Sequence, residues 1–182
     1  EVGAEGQRRQ DALAAAARES GVALVGPNCM GLTNFFDGIP LTFETVEHQP
    51  ARGEPGVSIV AQSGAMANNI REALFGRREP VAVSVSTGNE AGLTVEDYVE
   101  HFIDDPRTRV IAVYAEQIRQ PARLRSLAAR ARQAGKPLVV MLIGRSERAR
   151  ESAMSHTGAL AGDYATACAL LRHEGAIVPA TL

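Results

Sequence analysis

Four short stretches of this sequence hold the side chains and turns that could do chemistry. His156 is bracketed by Ser155, Thr157 and Gly158 in GRSERARESAMSHTGALAGD (144–163), a segment basic at its start and small and polar at its end. An unperturbed histidine has a pKa of about 6.5, so its imidazole is largely neutral, and nucleophilic, near pH 7. A carboxylate bonded to one ring nitrogen fixes the tautomer and leaves the other nitrogen to attack, which is what a phosphohistidine needs. Glu116, in Ala115-Glu116-Gln117, is the candidate carboxylate, because a charge at the end of an apolar strand is costly unless it is paired or lies at a site mouth. Gln62-Ser63-Gly64-Ala65 is a small-residue turn opening a helix. Its backbone N–H groups and the positive end of the helix dipole suit an anion such as phosphate. Thr87-Gly88-Asn89-Glu90-Ala91-Gly92 is a second glycine loop ahead of a helix. Taken singly, each stretch has a plainer reading: a structural histidine, an N-cap serine, an ordinary strand-to-helix turn. What they share is a position directly after an apolar run.

The elements that must position these stretches follow from the hydrophobic pattern. From Gly56 onward, apolar runs at 57–61, 81–86, 110–114 and 138–143 alternate with helical segments at 64–76, about 94–103, 121–134 and 163–174, before a last short strand at 176–178. Continuous apolar strands at βαβ spacing predict a parallel sheet covered on both faces. The expected class is α/β, a flavodoxin-like doubly wound sheet, which places ligands at the carboxyl ends of its strands. The loops at 62–65, 87–92, 115–117 and 155–158 should therefore meet at one sheet end. Ahead of this domain, alanine-rich residues 5–20 form a helix closed by Gly21, Val22 to Val25 read as a short strand, and GPN at 26–28 is its turn. Residues 34–56 hold three prolines and three glycines without periodicity, and are expected to be a connection containing a domain boundary. Glu1, rather than methionine, and the helix that follows it are expected to be the end of a preceding unit.

Composition narrows the function classes. A 45% hydrophobic and 22% charged chain with net charge -2 is an ordinary globular protein, and a nucleic-acid backbone is not its expected partner. No apolar run approaches the roughly 18 residues needed to span a bilayer, and no basic-then-apolar targeting segment opens the chain, so no membrane association and a cytoplasmic location are expected. Cys29 and Cys168 lie far apart with no CxxC or Cys/His spacing, which argues against a disulfide framework and a metal site. A flavin module is disfavoured by an aromatic content of 4% and the absence of tryptophan. The four methionines suit core or loop packing, and Arg145, Arg148 and Arg150 suit a solvated loop.

SHTGALAG at 155–162, preceded by KPLVVMLIGRSE at 136–147, resembles the phosphohistidine loop of ADP-forming acetyl-CoA synthetases and of the succinyl-CoA synthetase α subunit. GPNCMG at 26–31 resembles the loop closing their CoA-binding domain, AQSGAM at 61–66 the start of their phosphate-site helix, and Glu116 falls where they keep the glutamate that supports the histidine. The resemblance spans essentially the whole chain in the family's order. It implies His156 and Glu116 as catalytic residues. It implies phosphate binding by Ser63, Gly64, Ala65, Gly88 and Asn89, and the CoA or acyl end at Asn28, Cys29, Met30 and Gly31. It implies residues 1–45 as the C-terminal portion of a Rossmann-like CoA-binding domain plus linker, and 46–182 as the flavodoxin-like domain. The implied activity is a nucleoside-diphosphate-forming acyl-CoA synthetase in an oligomeric assembly, with CoA and acyl-CoA as substrates alongside phosphate. ADP or ATP and Mg would be held by an ATP-grasp domain or subunit whose sequence this chain lacks. Leu142 departs from the lysine that many relatives carry two residues before Gly-Arg-Ser. The alternative is a regulatory or scaffold domain of the related protein lysine acetyltransferases, and the intact SHTGALAG favours the synthetase.

Overall fold

Apolar runs with no polar face must be covered on both sides, and two helical layers do this. The computed structural model describes residues 3–46, 53–143 and 164–181. Ser155, His156, Thr157 and Gly158 lie outside the described residues, as do Arg145, Arg148, Arg150 and Met154. In chain order the elements are α1 (Ala4–Ser20), β1 (Gly31–Asn34), β2 (Ile39–Thr42), β3 (Gly56–Ala61), α2 (Gly64–Gly76) and β4 (Val81–Ser86). They continue with α3 (Val95–Asp104), β5 (Thr108–Ala115), α4 (Pro121–Gln133), β6 (Leu138–Leu142) and α5 (Tyr164–His173).

Among the described residues the strands form one six-stranded sheet in the order β2-β1-β4-β3-β5-β6. β3 is parallel to both β4 and β5, and β5 is parallel to β6. A parallel bridge between Val139 and Ile177 extends the sheet by one more position. Numbered along the chain, the parallel strands and this bridge run 2-1-3-4-5, the flavodoxin-like order. Every residue of β3 and β4 is buried. One face of the sheet is covered by α3, α4 and α5, through Val95, Val99, Phe102, Leu124, Leu127, Ala131 and Leu171. The other is covered by α2, whose Ala67, Ile70 and Leu74 pack toward Val57, Ile59 and Ala61. Each large apolar side chain so buried contributes about 1.5–3 kcal/mol. The helix ends agree with their sequences: Gly21 closes α1 in the left-handed region, Asp97 accepts from the Thr94 backbone N–H at 2.8 Å ahead of α3, and Pro121 opens α4.

Three expectations are corrected. Val22 to Val25 do not form a strand: Val22 is exposed, and the backbone here is engaged by a loop, Leu24 accepting from the Leu93 N–H at 2.8 Å. The stretch read as a connection begins inside an antiparallel hairpin, since β1 pairs with β2 and also runs antiparallel to β4, with Leu32 opposite Val85. The sheet is therefore mixed, and residues 31–42 share it with residues 56–142. The hairpin escaped notice because its strands have four residues each and β2 contains Pro40 and three exposed positions, so no period-two pattern develops. The strand expected at 176–178 is reduced to the single bridge at Ile177.

Candidate functional site

β3 and β5 are the neighbours between which the chain order of the parallel strands reverses, and the crevice beyond their carboxyl ends is where such sheets hold ligands. Gln62 follows β3 and Glu116 follows β5. The Gln62 side-chain oxygen accepts the backbone N–H of Glu116 at 2.6 Å and that of Gln117 at 2.8 Å. Its Nε2 donates to the Gln117 carbonyl at 2.7 Å and to Glu90 Oε2 at 2.9 Å. One neutral side chain thus ties the loops after β3, β4 and β5 together.

Glu90 is the buried anion of this network. Its Oε1 accepts from the Thr87 hydroxyl at 3.0 Å and from the Val95 N–H at 2.9 Å, and Arg119 Nε lies 3.5 Å from Oε2. Burial pushes the Glu90 pKa above its ordinary value, with Glu96 adding to the effect, while bonds from Thr87, Val95 and Gln62 oppose it. Arg119 also donates through Nη2 to the Asn89 carbonyl at 3.0 Å, bracing the same loop from outside.

The 26–31 loop docks onto the 87–92 loop. The Asn89 N–H donates to the Pro27 carbonyl at 2.9 Å, Asn28 Nδ2 to Asn89 Oδ1 at 3.3 Å, and the Met30 N–H to the Ser86 hydroxyl at 3.2 Å. Gly88 has φ +59, and a Cβ there would lie 2.3 Å from the Pro27 carbonyl oxygen, so the approach needs glycine. At Gly64 a Cβ would lie 2.2 Å from Met30 Sδ, which places the Met30 thioether over the first turn of α2.

Together these loops form a half-open cavity of about 380 Å³ lined by Asn28, Cys29, Met30, Phe43, Gln62, Ser63, Gly64, Ala65, Gly88, Asn89 and Glu116. Ser63 is the N-cap of α2, its hydroxyl accepting from the Met66 N–H at 3.4 Å, and the first turn carries no acidic residue. Such a helix start attracts anions. Half-buried Glu116 shares the cavity, and burial, with the Glu116 charge adding to it, raises the pKa of Tyr114. The arrangement can hold a phosphate-sized anion beside the Glu116 carboxylate.

The sequence-derived candidates Ser63, Gly64, Ala65, Gly88, Asn89, Asn28, Cys29, Met30 and Glu116 are therefore brought onto one cavity. Gly31 is not: it opens β1 with φ +84 against the Leu41 carbonyl and lines a separate recess of about 10 Å³. His156 lies outside the described residues. Gln62, Glu90, Arg119 and Phe43 were missed as site residues. Gln62 and Glu90 sat inside stretches singled out for their small residues, and Phe43 lay in the stretch read as a connection. Among the described residues no three His, Cys, Asp or Glu side chains are grouped to hold a metal ion. No described helix is long and apolar enough to cross a membrane.

Residues 54–182 match the model of the succinyl-CoA ligase like flavodoxin domain. Over its whole length the chain is 49% identical to a trans-feruloyl-CoA synthase from an unknown prokaryotic organism, of which it covers 26%. It is 35% identical, over 97% of its length, to ADP-forming acetate–CoA ligase I of Archaeoglobus fulgidus, of which it covers 25%. The dinucleotide-forming acetyl-coenzyme A synthetase 1 of Ca. Korarchaeum cryptofilum, solved with phosphate and ADP, superposes with a TM-score of 0.83 at 26% identity, over 95% of this chain and 37% of that one. The chain thus spans about a quarter of the length of these curated relatives. With the parallel strand order and the loop cluster at its switch point in agreement, the chain belongs to the succinyl-CoA-ligase-like flavodoxin domain family.

Proposed function

We propose that this chain is the phosphoryl-relay portion of a nucleoside-diphosphate-forming acyl-CoA synthetase. The observation that carries the proposal is the meeting of the α2 N-terminus, Glu116 and the Asn28–Met30 loop on one cavity at the switch point. Phosphate held by Ser63, Gly64, Ala65, Gly88 and Asn89 attacks the thioester carbon of an acyl-CoA whose thioester group lies toward Asn28, Cys29 and Met30. The C–S bond breaks, CoA leaves as the thiol, and an acyl phosphate remains. His156, which follows β6 in the chain, then attacks phosphorus through a neutral imidazole nitrogen, the P–O bond to the acyl group breaks, and the free acid departs as its carboxylate.

Glu116 carries a negative charge that steadies the phosphorylated, imidazolium-like ring, and the α2 dipole and N–H groups hold the transferring dianion. A nucleoside diphosphate on an ATP-grasp domain or subunit next takes the phosphoryl group, which breaks the P–N bond and restores neutral His156. Each step is reversible. Nucleotide and Mg belong to that partner. Residues 1–45 are assigned to the end of a CoA-binding domain plus linker, the linker's hairpin at 31–42 completing the sheet of the relay domain assigned to 46–182, in an oligomeric cytoplasmic enzyme.

The test combines the chain with its ATP-grasp partner and labelled nucleoside triphosphate. Acid-labile label should appear on His156 and be lost, with turnover, in His156→Asn. Label on another residue, or full turnover in that variant, would favour the regulatory or scaffold role.

A further inference from the structure

Phe43 is the most exposed large apolar side chain among the described residues, at 79%, yet it lines the site cavity. An aromatic ring gains most from burial, so an apolar group entering the cavity against this one would gain contact area on binding. The lining carries two chemistries: Ser63, Asn89 and Glu116 offer polar groups, while Cys29, Met30 and Phe43 offer apolar ones. Met30 Sδ lies over Gly64, so the apolar wall begins beside the donors of the α2 N-terminus. In the proposed reaction the reacting carbon sits at those donors, and the acyl group extending from it runs along Met30.

We propose that Phe43, with Met30, determines specificity by receiving the planar, conjugated part of an arylalkenoyl-type acyl-CoA, in preference to a short aliphatic acyl group. This inference rests on the acyl-CoA synthetase proposal. Ring stacking on Phe43 and thioether–ring contact with Met30 are the interactions that discriminate. Ile39 and Leu41 are exposed at alternate positions leading up to Phe43, so cover by another protein is the competing explanation, but neither lines the cavity.

The experiment measures kcat/KM of the full-length enzyme, with its ATP-grasp part, for a cinnamate-type acid and for acetate, in wild type, Phe43→Ala and Phe43→Leu. Wild type should favour the aryl acid. Phe43→Ala should lower kcat/KM for that acid by about tenfold or more, mainly through KM, and shrink its advantage over acetate, with Phe43→Leu between the two. A wild type that prefers acetate overturns the inference. So does an equal loss on both acids in Phe43→Ala, or a changed elution volume of that variant on size exclusion, since either means that the ring covers protein. Labelling of wild type by nucleoside triphosphate, which needs no acid, separates the two levels: no label counts against the synthetase proposal itself, whereas label with acetate preference removes only this one.

Discussion

Gln62 and Glu116 are joined across the switch point by a bond of 2.6 Å from the Glu116 backbone N–H to the Gln62 side-chain oxygen. The position of the carboxylate at the cavity is therefore set by a residue on the neighbouring loop, and not by its own strand alone. An amide suits the task because it accepts from two N–H groups while donating to the Glu90 carboxylate and the Gln117 carbonyl.

Gln62→Ala should destabilise the fold by about 2–4 kcal/mol, since buried groups left without partners cost roughly 1–3 kcal/mol each. Urea unfolding of the isolated chain measures this. Gln62→Glu should be no rescue, because it loses the donor and sets a second carboxylate against Glu90. An unchanged midpoint in the alanine variant would show that the clasp contributes nothing.

Glu90 gives a pH dependence of opposite sign to that of a salt-bridged carboxylate. Its folded-state pKa lies above the unfolded value, so the native state binds more protons than the unfolded one between those two values. Its contribution to stability therefore falls as pH rises from about 4.5 through the folded pKa and then stays low. Asp97 and Asp105 are shifted downward and act the other way, at lower pH. The difference in unfolding free energy between wild type and Glu90→Gln, measured from pH 4 to 8, isolates the term, and should decline with rising pH before levelling off. A flat or rising difference would contradict it.

Gly64→Ala should separate folding from binding. The new methyl meets the flexible Met30 side chain, not backbone, and alanine suits a helix better than glycine, so Tm should change by only a few degrees. Displaced Met30 should nevertheless crowd the anion site and weaken phosphate binding, read by calorimetry on the full-length enzyme, several-fold. Intact phosphate affinity would place the anion elsewhere.

The parallel part of the fold was legible because burial on both faces leaves little sequence freedom: α2 at 64–76 and β4 at 81–86 fall where the apolar runs and flanking turns put them. The hairpin was not, since two four-residue strands, the second holding Pro40, carry no periodic signal. Among site residues, Glu116 stood out as a charge at the end of an apolar strand. Gln62 did not, because an uncharged amide after a strand looks like any turn residue, and its four side-chain bonds reach three residues 28 to 55 positions away. Glu90 was hidden in the same way, since nothing in TGNEAG says that its carboxylate turns inward.

The outer margin of the sheet at β2 bears on how this chain behaves in crowded solution. A free strand margin invites foreign strands to add on, and hydrophobic margins are the worst offenders. β2 offers exposed Ile39 and Leu41, yet it is only four residues long and Pro40 between them has no N–H to give. The ladder that an intruding strand would need is broken at its second rung. This apolar rim of the described sheet is thus one where self-templated aggregation has little purchase.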